Sequence, residues 1–260
     1  YIATPHNSHC EYTLLALNNG KPVLCEKPFS INSKETESMI STALNNNLLI
    51  MDAMWTRYLP HINRIRQIID DKTLGDIKTL SADHGRNLSS NLNPRLWEPE
   101  LGGGALLDLG IYVVSFAHMV LGVPSSITAK AFFTDRGIDE QTSVIFEYES
   151  KAHAILNVTL NNNTPTKAVI SGDKGYIELL GLFYAPTSMK LVLGDGTESK
   201  YENRYIGHGL REQAREFARC ARLNLLESPL MPHSETINVM KSMDTIRNKI
   251  GLEYPNDRII

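Results

Sequence analysis

A lysine stands where the first clearly apolar segment of the chain ends. In the stretch VLCEKPFS, residues 23–30, the apolar run Val23–Cys25 passes directly into Glu26, Lys27 and Pro28. A Glu-Lys pair is more often part of a solvated loop, because most charged pairs lie on protein surfaces. Ligands of open α/β sheets bind at the carboxyl ends of strands, so Lys27 is also placed to act on a ligand.

A second polar pair interrupts an apolar segment, GGGALLDLGIYVVSFAH, residues 102–118. Asp108 and Tyr112 are four residues apart, which places them on one face of a helix predicted over 104–121. This helix is apolar on nearly all sides, so Asp108 needs a partner or a purpose. A capped, hydrogen-bonded aspartate and a core tyrosine would explain the pair as well as a functional site does.

Lysine and tyrosine together suit proton transfer during oxidation of an alcohol. When a hydride leaves a carbinol carbon for a nicotinamide ring, the hydroxyl proton needs an acceptor. The unperturbed pKa of tyrosine is about 10, and a neighbouring ammonium lowers that pKa by stabilising the phenolate. Lys27 would be this ammonium or the proton relay itself. The sequence alone does not show that residues 27 and 112 meet.

The elements that must position Lys27 alternate between strand and helix. Residues 1–3 read as the end of a strand, and apolar spacing predicts further elements in the order helix, strand, helix, strand, over residues 9–19, 21–25, 33–46 and 48–54. Nearly continuous apolar strands in this order are typical of a parallel sheet covered by helices. We therefore predict an α/β domain over residues 1–54.

From Trp55 onward the pattern changes and predicts a second, α+β domain over residues 55–260. Turn sequences such as SGDKG and LGDGT indicate hairpins of a large, mainly antiparallel open sheet. Its predicted strands cover residues 77–83, 127–133, 142–148, 154–160, 168–171 and 176–180. Helices are predicted over residues 61–70, 104–121, 210–225 and 234–250.

Composition narrows the classes of partner. The 260 residues carry 26 basic and 29 acidic side chains, a formal charge of -3, so no polycationic surface for nucleic acid or anionic lipid is expected. Three cysteines without a CxxC pair fit a reducing, cytoplasmic compartment better than disulfides or a zinc site. No apolar run approaches the roughly 20 residues of a membrane span. Small molecules and other copies of the chain are the expected partners.

The motifs, taken in order, resemble the Gfo/Idh/MocA oxidoreductase family. YIATPHNSH, GKPVLCEKPFS, DAMWTRYLP and GGGALLDLGIYVVSFAHMVLG are similar to family motifs, and the likeness covers essentially the whole chain. Many relatives have a histidine where this chain has Tyr112, and the tyrosine aligns it with the dimeric dihydrodiol dehydrogenase branch. The resemblance implies a Rossmann domain that binds NAD or NADP, an open sheet facing the nicotinamide, and a homodimer.

The resemblance also implies roles for individual residues. Lys27 is the catalytic lysine, with Tyr112 and Asp108 beside it, and the Lys27–Pro28 bond is expected to be cis. Residues expected to line the cofactor are Thr4, Pro5, Asn7, His9, Glu26, Lys27, Pro28, Trp55 and Arg57. Trp97 is a weaker substrate-binding candidate, together with Tyr112. Ordinary packing remains the alternative for each of these side chains.

One family feature is missing from the sequence. No GxGxxG follows a first strand, since GGG at 102–104 belongs to the second domain, so the pyrophosphate site and the residue that discriminates NAD from NADP are absent. We therefore expect an N-terminally truncated oxidoreductase for a sugar, cyclic polyol or dihydrodiol. The competing hypothesis is a non-catalytic fragment or pseudoenzyme that keeps the sheet domain for self-association.

Overall fold

The computed structural model describes residues 1–91 and 93–258. The amino-terminal part contains a small parallel sheet, in which Val23 pairs with Ile50 and Cys25 with Asp52. Ile2 adds a single parallel bridge to Cys25 on the other side of β1. The elements are α1 (His9–Asn18), β1 (Val23–Cys25), α2 (Ser33–Asn45) and β2 (Ile50–Asp52). The predicted order is confirmed, although both strands are shorter than the apolar runs that predicted them.

Local sequence explains why helix α2 begins where it does. The Asn32 side chain accepts a hydrogen bond from the Glu35 backbone N–H at 2.9 Å, and the Glu35 carboxylate accepts one from the Ile31 N–H at 3.0 Å. The buried face of α2 then packs on the parallel sheet. This first core cluster consists of Leu17, Val23, Cys25, Phe29, Met39, Ile40, Ala43 and Ile50.

An eight-stranded sheet forms most of the remaining structure. Its order is β10-β9-β8-β7-β3-β6-β5-β4, and all neighbours are antiparallel except β3 and β6. The strands are β3 (Ile77–Gly85), β4 (Ser126–Phe133), β5 (Asp139–Glu147), β6 (His153–Thr159), β7 (Ala168–Gly172), β8 (Gly175–Leu179), β9 (Met189–Leu193) and β10 (Glu198–Tyr201). The mainly antiparallel sheet is confirmed. Strands β9 and β10 flank the LGDGT turn and were not predicted as strands.

Helices cover one face of this sheet. Helix α5 (Ile111–Leu121) packs on β3 and β6, and helix α7 (His233–Ile250) packs on β4. The other helices of this part are α3 (Pro60–Asp70), α4 (Pro94–Trp97) and α6 (Arg211–Arg222). Along β5, Val144 and Phe146 are buried beneath the helices, whereas the alternate residue Ile145 is 43% exposed. This period-two pattern leaves the opposite face of the sheet open, as predicted.

The predicted helix over 104–121 is a π-helical turn, Leu106–Gly110, followed by α5. Contrary to the expectation from sequence, the stretch Pro99–Leu121 is long and apolar enough to cross a membrane by length and composition alone. However, 89% of the apolar 18-residue segment within this stretch is buried inside the protein, as for a core helix.

The carboxyl-terminal segment returns to the first part of the chain. After α7, a short helical turn at Pro255–Arg258 places Asp257 against the Asn32 side chain, which donates to it at 3.0 Å. Asn256 donates to the Glu35 carboxylate at 2.9 Å. These polar contacts join the start of α2 to the carboxyl-terminal segment. The two parts of the chain are therefore linked by hydrogen bonds as well as by the covalent chain at residue 54. The domain boundary at that position stays a prediction.

Candidate active site

Lys27 follows directly on the buried strand β1, and the Lys27–Pro28 peptide bond is cis, which confirms the prediction. The imidazole of His9 contacts this turn. Its Nδ1 lies 2.8 Å from the Pro28 carbonyl oxygen and its Nε2 lies 2.9 Å from the Thr4 carbonyl oxygen. His9 is fully buried. These contacts hold the two strand ends together, and a role of His9 in lining the cofactor stays a prediction.

Lys27 and Asp108 form a largely buried ion pair. The Lys27 ammonium donates to the Asp108 backbone carbonyl at 2.7 Å and to Asp108 Oδ1 at 3.0 Å. The two side chains are only 14% and 8% exposed. Asp108 thus has the partner that its apolar surroundings require.

Arg95 and His6 extend the ion pair. Arg95 Nη1 donates to Asp108 Oδ1 at 2.8 Å and lies 3.2 Å from His6 Nε2. His6 Nδ1 lies 3.0 Å from the Gly102 carbonyl oxygen, an acceptor, so Nδ1 carries the proton and Nε2 accepts from Arg95. One carboxylate is therefore flanked by two cations and a neutral imidazole.

These contacts fix the protonation states. Burial opposes ionisation of Asp108, but the charges of Lys27 and Arg95 prevail and hold the pKa of its carboxyl well below the usual range. Burial also disfavours the Lys27 ammonium, yet Asp108 raises the pKa of Lys27 above its ordinary value. Burial lowers the pKa of His6 to about 3. At neutral pH the cluster holds a charged lysine, a charged aspartate and a neutral histidine.

Tyr112 is brought to the same place. The Lys27 ammonium nitrogen lies over its ring, 4.8 Å from the ring centre, and Trp55 Nε1 donates to its hydroxyl at 3.0 Å. Burial raises the pKa of Tyr112, and the opposing effects of Lys27 and Trp55 only partly offset this. The phenol is therefore protonated at neutral pH, instead of being lowered toward a phenolate as the sequence argument suggested.

Aromatic side chains surround Tyr112. The His84 ring stacks on Tyr184 at 4.4 Å between ring centres and meets Tyr112 edge-on at 5.3 Å. Trp55 lies 5.6 Å from the ring centre of the exposed His208. Neither nitrogen of the buried His84 makes a hydrogen bond within the described residues. Tyr112 thus lies among aromatic side chains, close to the charged cluster of Lys27, Asp108 and Arg95.

The other cofactor candidates occupy different surroundings. Thr4 Oγ1 is buried without a hydrogen bond in the described part of the chain, Pro5 is exposed, and Asn7 is half-buried. Glu26 accepts from the hydroxyl of Tyr1 and from Gln213 at the open side of the turn. These strand-end positions stay predictions as cofactor contacts.

Arg57 and Trp97 make contacts outside the charged cluster. Arg57 is 1% exposed and donates to Ser115 and to Glu235, so its guanidinium has little surface to offer a cofactor. Trp97 donates to the Asn91 carbonyl oxygen at 2.6 Å. It also lines an open cleft of about 510 Å³ that includes Ser89, Glu98, Thr134, Arg136 and Glu140.

Sequence reasoning missed three residues that contact or face the site. Arg95 lies on the short helix α4, and no spacing rule connects PRLW to an aspartate 13 residues away. His84 lies near the end of β3, just beyond the strand predicted over residues 77–83. His6 lies within the quoted motif YIATPHNSH, where its place between the predicted Pro5 and Asn7 was an available signal.

The strand-end turns fit a dinucleotide cofactor in part. The orphaned Thr4 hydroxyl and the turn at Glu26–Pro28 lie at the carboxyl ends of the parallel strands, where such ligands bind. Thr4, Glu26 and Lys27 would hold the nicotinamide end. Among the described residues, no group of three or more His, Cys, Asp or Glu side chains could hold a metal ion.

Lys27, at the end of a strand of the small parallel sheet, meets a buried aspartate on the π turn and a buried tyrosine on α5. This arrangement fits a nicotinamide-dependent oxidoreductase. The comparisons agree with this class. A profile described as "Oxidoreductase family, NAD-binding Rossmann fold" matches residues 1–53, and one described as "GFO/IDH/MocA C-terminal domain" matches residues 62–178. The chain belongs to the Gfo/Idh/MocA oxidoreductase family, as its motifs indicated.

Similar proteins include trans-1,2-dihydrobenzene-1,2-diol dehydrogenases. The chain is 36% identical to that of Xenopus tropicalis over 265 residues, which cover 98% of this chain and 79% of the relative. It is 33% identical to that of Homo sapiens over 266 residues, covering 99% and 79%.

Two solved structures share the fold. An aldose-aldose oxidoreductase from Caulobacter crescentus, complexed with glycerol, superimposes with a TM-score of 0.86 at 23% identity, over 96% of this chain and 76% of that one. A 3-ketoreductase from Actinomadura kijaniata, in complex with NADP and TDP-benzene, gives a TM-score of 0.84 at 21% identity over 96% and 77%.

Proposed function

We propose that this oxidoreductase transfers a hydride between NAD(P) and a hydroxyl-bearing carbon of a dihydrodiol, cyclic polyol or sugar, with Lys27 and Tyr112 in proton transfer. The observation that carries the proposal is the position of the Lys27 ammonium between Asp108 and the Tyr112 ring. The names of the dihydrodiol dehydrogenase relatives support the substrate class.

Tyr112 has its proton available for a substrate oxygen. A phenol has one donor hydrogen and two acceptor lone pairs, and Trp55 N–H occupies one lone pair. The raised pKa keeps the phenol protonated at neutral pH. In the reducing direction, the hydride for the carbonyl carbon would come from a nicotinamide held at the strand-end turn. Tyr112 donates its proton to the carbonyl oxygen, which becomes the hydroxyl, and in the oxidising direction the Tyr112 oxygen takes the proton back.

Lys27 stabilises the charge that develops during this transfer. An ammonium has three donor hydrogens, and two of them are directed at the carbonyl and carboxylate of Asp108. The third makes no hydrogen bond within the described residues and is offered to the substrate oxygen, and the positive charge over the Tyr112 ring stabilises a phenolate once the proton has left. Asp108 keeps the lysine charged and fixed in place.

Cofactor binding and turnover test this proposal separately. NADPH and NADH are titrated into the protein while nicotinamide fluorescence is followed, and a saturable signal is expected. Oxidation of trans-cyclohexanediols, trans-dihydrodiols and aldoses is then followed at 340 nm for the wild type, Tyr112→Phe and the surface control Tyr12→Phe. We expect loss of turnover only in Tyr112→Phe. Absence of binding at millimolar cofactor would support the non-catalytic alternative, whereas full activity of Tyr112→Phe would show that Tyr112 does not take part in proton transfer.

We also propose that the open face of the eight-stranded sheet pairs with a second copy of the chain. Ile145 and Ile155 are directly opposite each other on β5 and β6 and are 43% and 57% exposed. The adjacent Ser81 and Val169 continue the same row across β3 and β7. A broad face with apolar residues at its centre is typical of a self-association surface.

A further inference from the structure

Asp139 is a buried carboxyl that the proposed reaction does not use. It begins strand β5 and has no exposed surface. Its Oδ2 accepts hydrogen bonds from the Leu106 backbone N–H at 2.8 Å and from the Thr142 hydroxyl at 2.6 Å. Its Oδ1 is buried and makes no hydrogen bond within the described residues. A carboxyl kept in such a place needs an explanation.

The Leu106 N–H is a critical donor for the active-site helix. Leu106 is the first residue of the π-helical turn Leu106–Gly110. The first N–H groups of a helix have no acceptor within the helix itself. Asp139, 33 residues away in sequence, supplies that acceptor from the sheet. Asp108 lies only two residues beyond Leu106, so the hydrogen bond from Leu106 to Asp139, here called the anchor, is close to the Lys27–Asp108 ion pair.

The glycines before the turn fit this anchor closely. Gly104 has a φ of +120°, and a Cβ added to it would lie 2.4 Å from Asp139 Oδ1. Tyr254, from the carboxyl-terminal segment, donates its hydroxyl to the Gly103 carbonyl oxygen at 2.6 Å. The chain thus enters the π turn through a narrow gap between β5 and the carboxyl terminus, and only glycine leaves room for the carboxyl.

We propose that Asp139 is a positioning residue of the active site, which fixes the start of the π turn so that Asp108 and Tyr112 stand opposite Lys27. π turns are rare and are frequent at functional sites, and the hydrogen bond from Leu106 to Asp139 fixes this one at its first residue. The kinetic part of this inference rests on the proposed function, whereas its structural part does not.

Two variants of Asp139 separate its hydrogen bond from its bulk. Asp139→Asn keeps an acceptor oxygen for the Leu106 N–H, and Asp139→Leu keeps the approximate shape but removes it. Asp71→Leu, at an exposed position after α3 that does not line the cleft beside Trp97, is the matched control. Amide hydrogen exchange of Leu106–Asp108 and steady-state kinetics are measured for each variant.

We expect Asp139→Leu to speed exchange of these amides at least tenfold and to lower kcat by about 10–100-fold, since displacements of about 1 Å in an active site have effects of this size. The KM for the cofactor should stay within twofold, because the strand-end turn is untouched. Asp139→Asn and Asp71→Leu should resemble the wild type. Equal losses in Asp139→Asn and Asp139→Leu, or unchanged exchange in the Leu variant, would overturn the inference.

If Asp139→Leu does not fold, Thr142→Val replaces it. This variant removes the hydroxyl that steadies Oδ2 but retains the carboxyl, so a loss of kcat of a few fold with unchanged cofactor KM is expected. Unchanged kcat together with unchanged exchange of Leu106–Asp108 would refute the positioning role. If the wild type shows no turnover at all, the proposed function fails, and the exchange measurement alone decides the role of Asp139.

Discussion

The Lys27 ammonium nitrogen lies over the face of the Tyr112 ring, 4.8 Å from its centre, and its nearest hydrogen-bond partners belong to Asp108. Trp55 and Lys27 therefore act on Tyr112 in different ways. Trp55, and not Lys27, contacts the Tyr112 hydroxyl directly. Lys27 acts on the phenol through its charge, and in the proposed mechanism its third hydrogen, which has no partner among the described residues, serves a substrate oxygen. Substitutions of the three side chains should therefore have different kinetic signatures.

Replacing Lys27 by Met should abolish most of the turnover. The variant removes the charge that stabilises the developing negative charge and leaves Asp108 with Arg95 as its cation, so we expect kcat to fall by about 10²–10⁴-fold. Cofactor affinity, measured by fluorescence titration, should change far less.

The exposed Lys21→Met provides the matched control, because it removes the same charge from the surface near β1. It should leave kcat unchanged. A Lys27→Met variant that loses cofactor binding and kcat in parallel would mean that Lys27 is chiefly a binding residue.

Trp55→Phe should alter the pH profile more than the maximal rate. The Trp55 N–H lowers the pKa of Tyr112, so its removal raises that pKa further. The alkaline limb assigned to Tyr112 should then move to higher pH, as measured by kcat against pH and by the 13Cζ chemical shift of Tyr112. An unmoved alkaline limb would show that another group titrates there.

The sequence predicted the elements of the site better than their contacts. The apolar run Val23–Cys25 predicted a buried strand, and its end predicted where Lys27 would lie, because strand ends meet at one edge of a parallel sheet. The four-residue spacing likewise brought Asp108 and Tyr112 to one side of a helix. Periodicity carries this information since it reflects burial, which local sequence largely determines.

Contacts between distant segments were beyond the reach of spacing rules. Arg95 contacts Asp108 because a four-residue helix, Pro94–Trp97, is folded across the glycines at 102–104. Strand β10 is short and largely exposed, so it lacks the alternation that marks a half-buried strand, whereas β9 does alternate between buried and partly buried residues. The raised pKa of Tyr112 depends on burial by several elements at once.

Charged residues at the centre of the open sheet face should prevent self-association. Ile145→Glu and Ile155→Glu would each bury a carboxylate in the proposed interface, which is costly without a partner. We expect light scattering to give a dimeric mass for the wild type and a monomeric mass for either variant.

Ile206→Glu is the matched control, because Ile206 is 82% exposed and lies outside the sheet. This variant should remain dimeric. A monomeric wild type at high micromolar concentration, or dimers that persist in both sheet variants, would rule out this interface.

Asp139 should make the protein less stable as the pH rises. Burial raises the pKa of Asp139 to about 7 in the folded protein, whereas an unfolded aspartate titrates near 3.9. Between these values the folded state binds more protons than the unfolded state, so the free energy of unfolding falls as pH increases. The neighbouring groups are the Thr142 hydroxyl, the Leu106 N–H and the Tyr254 phenol, none of which is charged at neutral pH.

The Asp139→Asn variant cannot titrate and should lack this component. Its Tm, relative to that of the wild type, should therefore increase steadily from pH 4 to pH 7 and level off above pH 8. The corresponding slope of the relative free energy of unfolding is about 1.4 kcal/mol per pH unit at most. Asp52, whose pKa burial also raises to about 7, contributes a slope of the same sign to both proteins, and the difference between the two Tm curves removes it. Parallel Tm curves across this range would show that Asp139 is ionised in the folded protein, with a counter-charge that the structure does not show.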